Sequence, residues 1–296
     1  MSQPEFPSSS RRCFIGAGLA ALYSTAGATR DQQGIVERLA AIRSRIGGRL
    51  GVYVFDTHTG GRVGLDYDET FAMASTFKWL LAAAVLAKVE RAELRLEQRV
   101  TFTEKDILAH APVTSKHLMQ SSLTLRELCA AVVEVSDNTA ANLLLRLIEG
   151  PEGLTKFVRT SGDDMTRLDR TELALNSNLP GDLRDTTTPR AMVGSMERML
   201  LGTVLSEPSR QMLIQWMINS STGLRRIRAG LPADWKAGDK TGTGANGAVN
   251  DLAMVWPPGR NPILMAVYMS ESTQTVETLS AAHAQVAAEI VRELAA

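Results

Sequence analysis

The chain is 296 residues long, 44% hydrophobic and 22% charged, with 32 basic residues balancing 32 acidic ones. The apolar share is enough for a full core, and length alone allows two domains. Balanced charge leaves no basic surplus for a nucleic acid or an anionic membrane, so the expected partners are small molecules.

Residues 1–28 read as an export signal. Ser10-Arg11-Arg12-Cys13-Phe14-Ile15 sets two arginines before apolar residues, the pattern of a twin-arginine signal. Gly16 to Tyr23 is apolar but too short to span a bilayer, and Ala26-Gly27-Ala28 offers a small-x-small cleavage site. The expected location is the periplasm or the exterior of a bacterial cell, reached through the twin-arginine export machinery, with no membrane contact after signal removal. Of the two cysteines, Cys13 leaves with the signal, so no internal disulfide is available. Cys129 lies among Leu125, Leu128, Ala131 and Val132 and reads as a small buried hydrophobe.

Ile35, Leu39, Ile42 and Ile46 form one stripe of an amphipathic helix, ended by Gly47-Gly48. Leu50 to Phe55 is a strand, and the turn Thr59-Gly60-Gly61 leads into a second short one near Arg62 to Leu65. Ser75-Thr76-Phe77-Lys78 then opens a helix that is apolar all round from Trp79 to Val89, as in a helix buried at a domain centre. Ser75 falls at its N-terminus, where backbone N–H groups and the dipole favour negative charge. Lys78 lies on the same face one turn later. A serine hydroxyl is a poor nucleophile until a neighbouring amine takes its proton, and desolvation plus a second cation lowers the amine's pKa to that end. A capping serine with a solvated lysine is the bland alternative, but Lys78 sits inside an apolar run.

Thr124-Leu125-Arg126-Glu127 carries a capping box for the helix that leads to Ser136-Asp137-Asn138. That triplet separates Leu125–Val135 from Thr139–Ile148 and, taken alone, is a helix N-cap. From Phe77 to about Ile218 the chain reads as helical with few convincing strands. Lys240-Thr241-Gly242-Thr243 suits an edge strand. Leu252 to Trp256 and Ile263 to Met269 are strands joined by a Pro257-Pro258-Gly259 turn, and Leu279, Ala282, Val286, Ile290 and Leu294 mark a final amphipathic helix. Strands at both ends of a helical middle predict an α/β fold: an antiparallel sheet flanked by helices, built from both termini, with an inserted all-α domain. The expected α/β part is about 31–66 and 222–296, and the all-α part about 67–221, within one unit spanning 29–296.

At average residue usage S-x-x-K should arise by chance roughly once in such a chain, and the other two triplets in about one chain in twenty each. All three in this order supply a hydroxyl nucleophile, two ammonium groups, a second hydroxyl and an amide, a set that can run acyl transfer to serine without histidine or metal. The set resembles that of class A serine β-lactamases and penicillin-binding proteins, and the resemblance to class A runs from about residue 33 to the end. It implies that Ser75 is the nucleophile, that Ser136 relays a proton to the leaving nitrogen, and that Asn138 binds the substrate's side-chain amide. Lys240 and Thr241 would hold the substrate carboxylate, Gly242 would let its strand approach closely, and the N–H groups of Ser75 and Thr243 would form the oxyanion hole.

Arg170-Thr171-Glu172-Leu173-Ala174-Leu175-Asn176 resembles the R-x-E-x-x-x-N segment of the class A Ω-loop. By that resemblance Glu172 is the general base that activates water, with Asn176 as its partner, while Arg170 and Asp185 close the neck of the loop. Leu173 stands where many members have proline, and the bond before it can be cis in this family. Val249 occupies a position where some members place a carboxylate-binding arginine, and Arg226 matches the alternative location. His110 stands where an aromatic often rims the cleft. The four histidines lack metal-ligand spacing, so no metal and no cofactor are expected. The resulting expectation is a monomeric class A serine β-lactamase that hydrolyses penicillins and cephalosporins and so gives antibiotic resistance. A D-alanyl-D-alanine peptidase or a non-hydrolytic penicillin-binding sensor is the alternative, and Glu172 discriminates between them. Ala74 and Gly244 replace a disulfide found in several carbapenem-hydrolysing members, which argues against strong carbapenem hydrolysis.

Overall fold

A computed structural model describes residues 25–294. The expected export signal lies outside the described residues as far as residue 24, and Ala26-Gly27-Ala28 falls in the first turn of α1 (Thr25–Ile46). Gly47, with φ of 63°, takes the left-handed conformation that ends this helix. The strands β1 (Arg49–Asp56) and β2 (Arg62–Leu65) form the first hairpin. Next come β3 (Phe71–Ala72), a 3₁₀ turn over Ala74–Thr76, and α2 (Phe77–Glu90). The helical body continues through β4 (Arg99–Thr101), β5 (Ser122–Thr124), α3 (Leu125–Glu134), α4 (Asn138–Leu147) and α5 (Gly150–Thr160). It ends with β6 (Thr186–Thr187), α6 (Pro189–Met196) and α7 (Glu207–Ile218). The strands β7 (Lys236–Thr243), β8 (Val249–Trp256) and β9 (Ile263–Ser270) return to the sheet, and α8 (Val276–Leu294) closes the chain.

The five main strands are antiparallel in the order β2-β1-β9-β8-β7, so both ends of the chain build one sheet, as expected. Its central strands are largely apolar because both faces are covered. Strand periodicity sorts their side chains into two cores. Val52, Val54, Ala253, Val255, Met265 and Val267 pack with α1 and α8. Leu252, Met254, Leu264, Ala266 and Tyr268 face the helical body. The strand bearing Lys240 lies at one edge, where its free side can meet a ligand.

At the centre of the body, α2 is buried from Phe77 to Ala87 and packs against α3, α4, α5 and α7. Thr124 and Glu127 form the anticipated capping box on α3. Asp137 caps α4 by accepting the Ala140 N–H at 2.9 Å, which leaves Ser136 just outside the helix at φ of 59°. Two small ribbons, β3–β6 and β4–β5, interrupt the helical stretch. Strands of two or three residues carry too few alternations for a period-2 pattern to register.

Candidate active site

Every site residue anticipated from the sequence is brought to one region, where the N-terminus of α2, the α3–α4 connection, the 170–185 loop and the edge strand β7 meet. The cleft at this junction measures about 280 Å³ and is lined by Ser75, Ser136, Asn138, Asn176, Arg226 and Thr241, with Thr243, Thr222 and His110 at its walls. Lys78, Glu172, Lys240 and Gly242 stand behind these as a buried layer.

Ser75 sits in the 3₁₀ turn that feeds α2. That turn is tied to the sheet: Thr76 Oγ1 lies 3.0 Å from the Tyr268 hydroxyl, and Asn250 Nδ2 donates to the carbonyls of Ala72 and Met73 at 2.9 and 3.1 Å. A Cβ on Gly242 would lie 2.6 Å from the Met73 carbonyl oxygen, so only glycine lets β7 come this close to the turn.

Lys78 Nζ donates to Ser75 Oγ at 3.0 Å, to the Ser136 carbonyl at 2.9 Å and to Asn138 Oδ1 at 2.5 Å. It also lies 2.8 Å from Glu172 Oε1. Burial lowers the Lys78 pKa more than the Glu172 carboxylate raises it, which makes this amine easier to deprotonate than an exposed lysine. Ser136 Oγ stands between two amines, 3.3 Å from Lys78 Nζ and 3.1 Å from Lys240 Nζ. Burial, reinforced by the charge of Lys78, drives the Lys240 pKa well below its ordinary value. A carboxylate arriving beside Lys240 would reverse that, because an opposite charge favours the ammonium.

Glu172 is buried, and its peptide bond to Leu173 is cis. Asn142 on α4 holds its backbone from both sides, donating to the Glu172 carbonyl at 2.9 Å and accepting its N–H at 3.0 Å. Its carboxylate accepts Asn176 Nδ2 at 2.7 Å through Oε2, while Oε1 lies 3.5 Å from Ser75 Oγ. Asn176 Oδ1 is buried without a hydrogen-bond partner among the described residues. The loop neck is closed by Arg170 Nε on Asp185 Oδ2 at 2.5 Å, and the Asp185 carbonyl accepts the Met73 N–H at 2.9 Å, two residues before the nucleophile.

Arg226 is 6% exposed, so its guanidinium is committed to local partners. It donates to the carbonyls of Gly242 and Asn250 at 2.9 and 2.6 Å and to Thr243 Oγ1 at 2.7 Å, which sets it against the cleft side of β7. Val249 belongs to the apolar core on the opposite face of the sheet.

Asn142, Asn250 and Thr222 were not anticipated. Asn142 follows Asn138 at i,i+4 on an otherwise apolar stripe of α4, a signal that was available. Thr222 accepts the Thr241 hydroxyl at 2.7 Å, a contact between segments 19 residues apart that local pattern does not encode. Among the described residues no cluster of His, Cys, Asp and Glu could hold a metal ion. Cys129 is buried, and burial pushes its thiol pKa up, away from reactivity.

Residues 34–294 match the model of the β-lactamase enzyme family. The carbapenem-hydrolysing β-lactamase KPC of Klebsiella oxytoca is 46% identical over 235 residues, covering 79% of this chain and 80% of that protein. β-Lactamase CTX-M-8 of Citrobacter amalonaticus is 43% identical over 261 residues, 88% of this chain and 87% of its own length. Among solved structures, an ancestral class A β-lactamase superposes with a TM-score of 0.86 at 51% identity, covering 87% of this chain and 99% of that one. A β-lactamase from Xanthomonas campestris pv. campestris gives 0.87 at 46% identity, covering 89% and 98%.

Proposed function

Because the chain belongs to the class A serine β-lactamase family, we propose that it opens the β-lactam ring of penicillins and cephalosporins through a Ser75 acyl-enzyme cleared by Glu172-activated water. The observation that carries this reading is the Glu172 carboxylate, bonded to Asn176 and set beside both reacting groups, 2.8 Å from Lys78 Nζ and 3.5 Å from the Ser75 hydroxyl. In a penicillin-binding peptidase or sensor the penicillin-derived acyl-enzyme persists, because no such base delivers water to its ester carbonyl.

Acylation begins when Ser75 Oγ attacks the lactam carbonyl and its proton passes to Lys78, or to Glu172 through the contacts both groups make. The N–H groups of Ser75 and Thr243 receive the negative charge on the carbonyl oxygen. As the ring C–N bond breaks, Ser136 Oγ passes a proton to the nitrogen, and the neighbouring amines resupply it. Deacylation reverses the roles: Glu172 takes a proton from water, the resulting hydroxide attacks the ester carbonyl, and Ser75 leaves with a proton returned. The orphan acceptor Asn176 Oδ1 suits the second hydrogen of that water. Mixing the protein with benzylpenicillin and following intact mass tests the whole scheme. A transient adduct returning to the free mass is expected, while a lasting adduct would mean a peptidase or sensor.

Lys240, Thr241 and Arg226 form the anchor for the substrate carboxylate. Arg226→Ala should raise KM for penicillins by on the order of 10–100-fold, the equivalent of about 1.5–3 kcal/mol for a charge-assisted bond. Val249→Ala should do far less, since that side chain faces the other core. Equal effects in steady-state kinetics would assign the carboxylate to Lys240 and Thr241 alone. The Ala74 methyl lies 3.6 Å from the place a Cβ on Gly244 would occupy, so the two positions that carry a disulfide in several carbapenem-hydrolysing members face each other unlinked. Penicillins and cephalosporins are therefore the favoured substrates over carbapenems. Among the described residues no helix is long and apolar enough to cross a membrane. Arg11 and Arg12 support export by the twin-arginine route, which cell fractionation of an Arg11→Lys, Arg12→Lys variant tests by retention of precursor in the cytoplasm.

A further inference from the structure

We propose that Asn178 and Asn246 form a clasp that positions Asn176 for deacylation, a second anchor of the Glu172 loop that acts on the water-dependent half of the reaction. The proposal rests on the acyl-enzyme reading above. Each amide bonds the other residue's backbone: Asn178 Nδ2 donates to the Asn246 carbonyl at 2.9 Å, and Asn246 Nδ2 donates to the Asn178 carbonyl at 3.1 Å. Asn246 Nδ2 also reaches the Ser177 carbonyl at 3.1 Å, and Asn178 Nδ2 the Ala245 carbonyl at 3.2 Å. The Ser270 hydroxyl lies 3.0 Å from Asn178 Nδ2 and 3.2 Å from its Oδ1, which ties the clasp to β9. Beside it, the Ala245 N–H donates to the Asn176 carbonyl at 2.9 Å.

These bonds converge on one limb of the loop. Glu172 does not depend on them, because Asn142 holds its backbone and Lys78 its carboxylate. The neck is held separately by Arg170 and Asp185. Within the loop the Asn176 N–H turns back on the Leu173 carbonyl at 3.2 Å and Arg170 reaches the Ser177 hydroxyl at 3.0 Å, but the bonds that tie this limb to the sheet are the clasp's own: the Asn176 carbonyl is fixed through Ala245, and the next two carbonyls by Asn246. Its side chain then bonds Glu172 Oε2 and presents the orphan Oδ1. On the other side of the clasp, Thr243 is held by pairing with Val249, and the Gly244 N–H donates to the Ala248 carbonyl at 2.8 Å, so the oxyanion wall has its own support. Ser75, Lys78 and Ser136 make no hydrogen bond to either clasp residue. Loosening the clasp should therefore displace the group that helps place the attacking water and spare the groups that form the acyl-enzyme.

Both asparagines take left-handed backbone, with φ of 42° at Asn178 and 48° at Asn246, a conformation that glycine also accepts. Asn246→Gly thus removes the amide while keeping the turn. Asn246→Asp keeps the shape and faces an oxygen toward the two carbonyls. Asn178→Gly is an independent third variant. With benzylpenicillin, each should lower kcat by ~10–100-fold, the scale of a small misplacement of a reacting group. KM should fall with it as deacylation becomes the slow step, so that kcat/KM, which reports acylation, stays within about threefold. Acyl-enzyme should accumulate in the intact mass. A fall in kcat at unchanged KM, as from fewer folded molecules, overturns the clasp, and so does an unchanged kcat. A wild-type protein that fails to hydrolyse benzylpenicillin overturns the lactamase reading and the clasp together, which separates that failure from the clasp's own.

Discussion

Ser75→Ala is expected to abolish both turnover and covalent capture of penicillins while leaving the fold unchanged. Among the described residues no other hydroxyl is placed to replace Ser75: Ser136 Oγ lies between the two lysines and faces the departing nitrogen in the proposed scheme. Removing a serine nucleophile from a hydrolase costs on the order of 10⁶-fold in kcat, and what remains comes from the oxyanion donors and binding. The stability change should be small, within about 1 kcal/mol, because the lost hydroxyl bonds only Lys78 and, weakly, Glu172. Lys78 keeps Ser136, Asn138 and Glu172 as partners. Unaltered thermal melting with no adduct by mass spectrometry is the expected pair of results. An adduct on the variant would move the nucleophile elsewhere.

The two halves of this site differed in how plainly the sequence announced them. Ser75 and Lys78 share one helix turn, so their spacing alone put the amine beside the hydroxyl, and the apolar run around Lys78 signalled its burial. The sheet was equally plain, because Leu252–Trp256 and Ile263–Met269 are continuous apolar runs joined by a proline–glycine turn. The supports were harder to see. Asn250 reaches the carbonyls of Ala72 and Met73 across a separation of more than 170 residues, and Thr222 meets Thr241 on the wall of the cleft. Such contacts depend on tertiary placement, which neither periodicity nor local spacing carries. Asn178 and Asn246 look like ordinary turn residues in sequence, since asparagine is common wherever φ is positive. Only their juxtaposition shows that each caps the other's loop.

Glu172→Ala should convert the enzyme into a penicillin trap. Two steps share the site but not the same demands. Acylation draws on Ser75, Lys78, Ser136 and the oxyanion donors, and loss of the carboxylate helps one of them: Glu172 raises the Lys78 pKa, so its removal lets burial lower that pKa further. An amine that loses its proton more readily beside Ser75 keeps proton transfer from the nucleophile available. Deacylation has no such reserve. Asn176 is left without its carboxylate partner, and Lys78, the amine bonded to Ser75, is hemmed in by Ser136 and Asn138. General bases typically contribute 10²–10⁴-fold, and kcat should fall by about that range. Rapid-mixing experiments should show a burst equal to the enzyme concentration followed by almost no turnover, with the adduct mapped to Ser75. Glu172→Gln keeps the shape and the bond to Asn176 within reach of an amide, so the same trap in that variant would assign the defect to the lost base rather than to a collapsed loop. If instead acylation slows as much as deacylation, Glu172 also takes the Ser75 proton. Steady-state hydrolysis at the wild-type rate would remove the carboxylate from the mechanism, and with it the reason for separating this enzyme from a penicillin-binding peptidase.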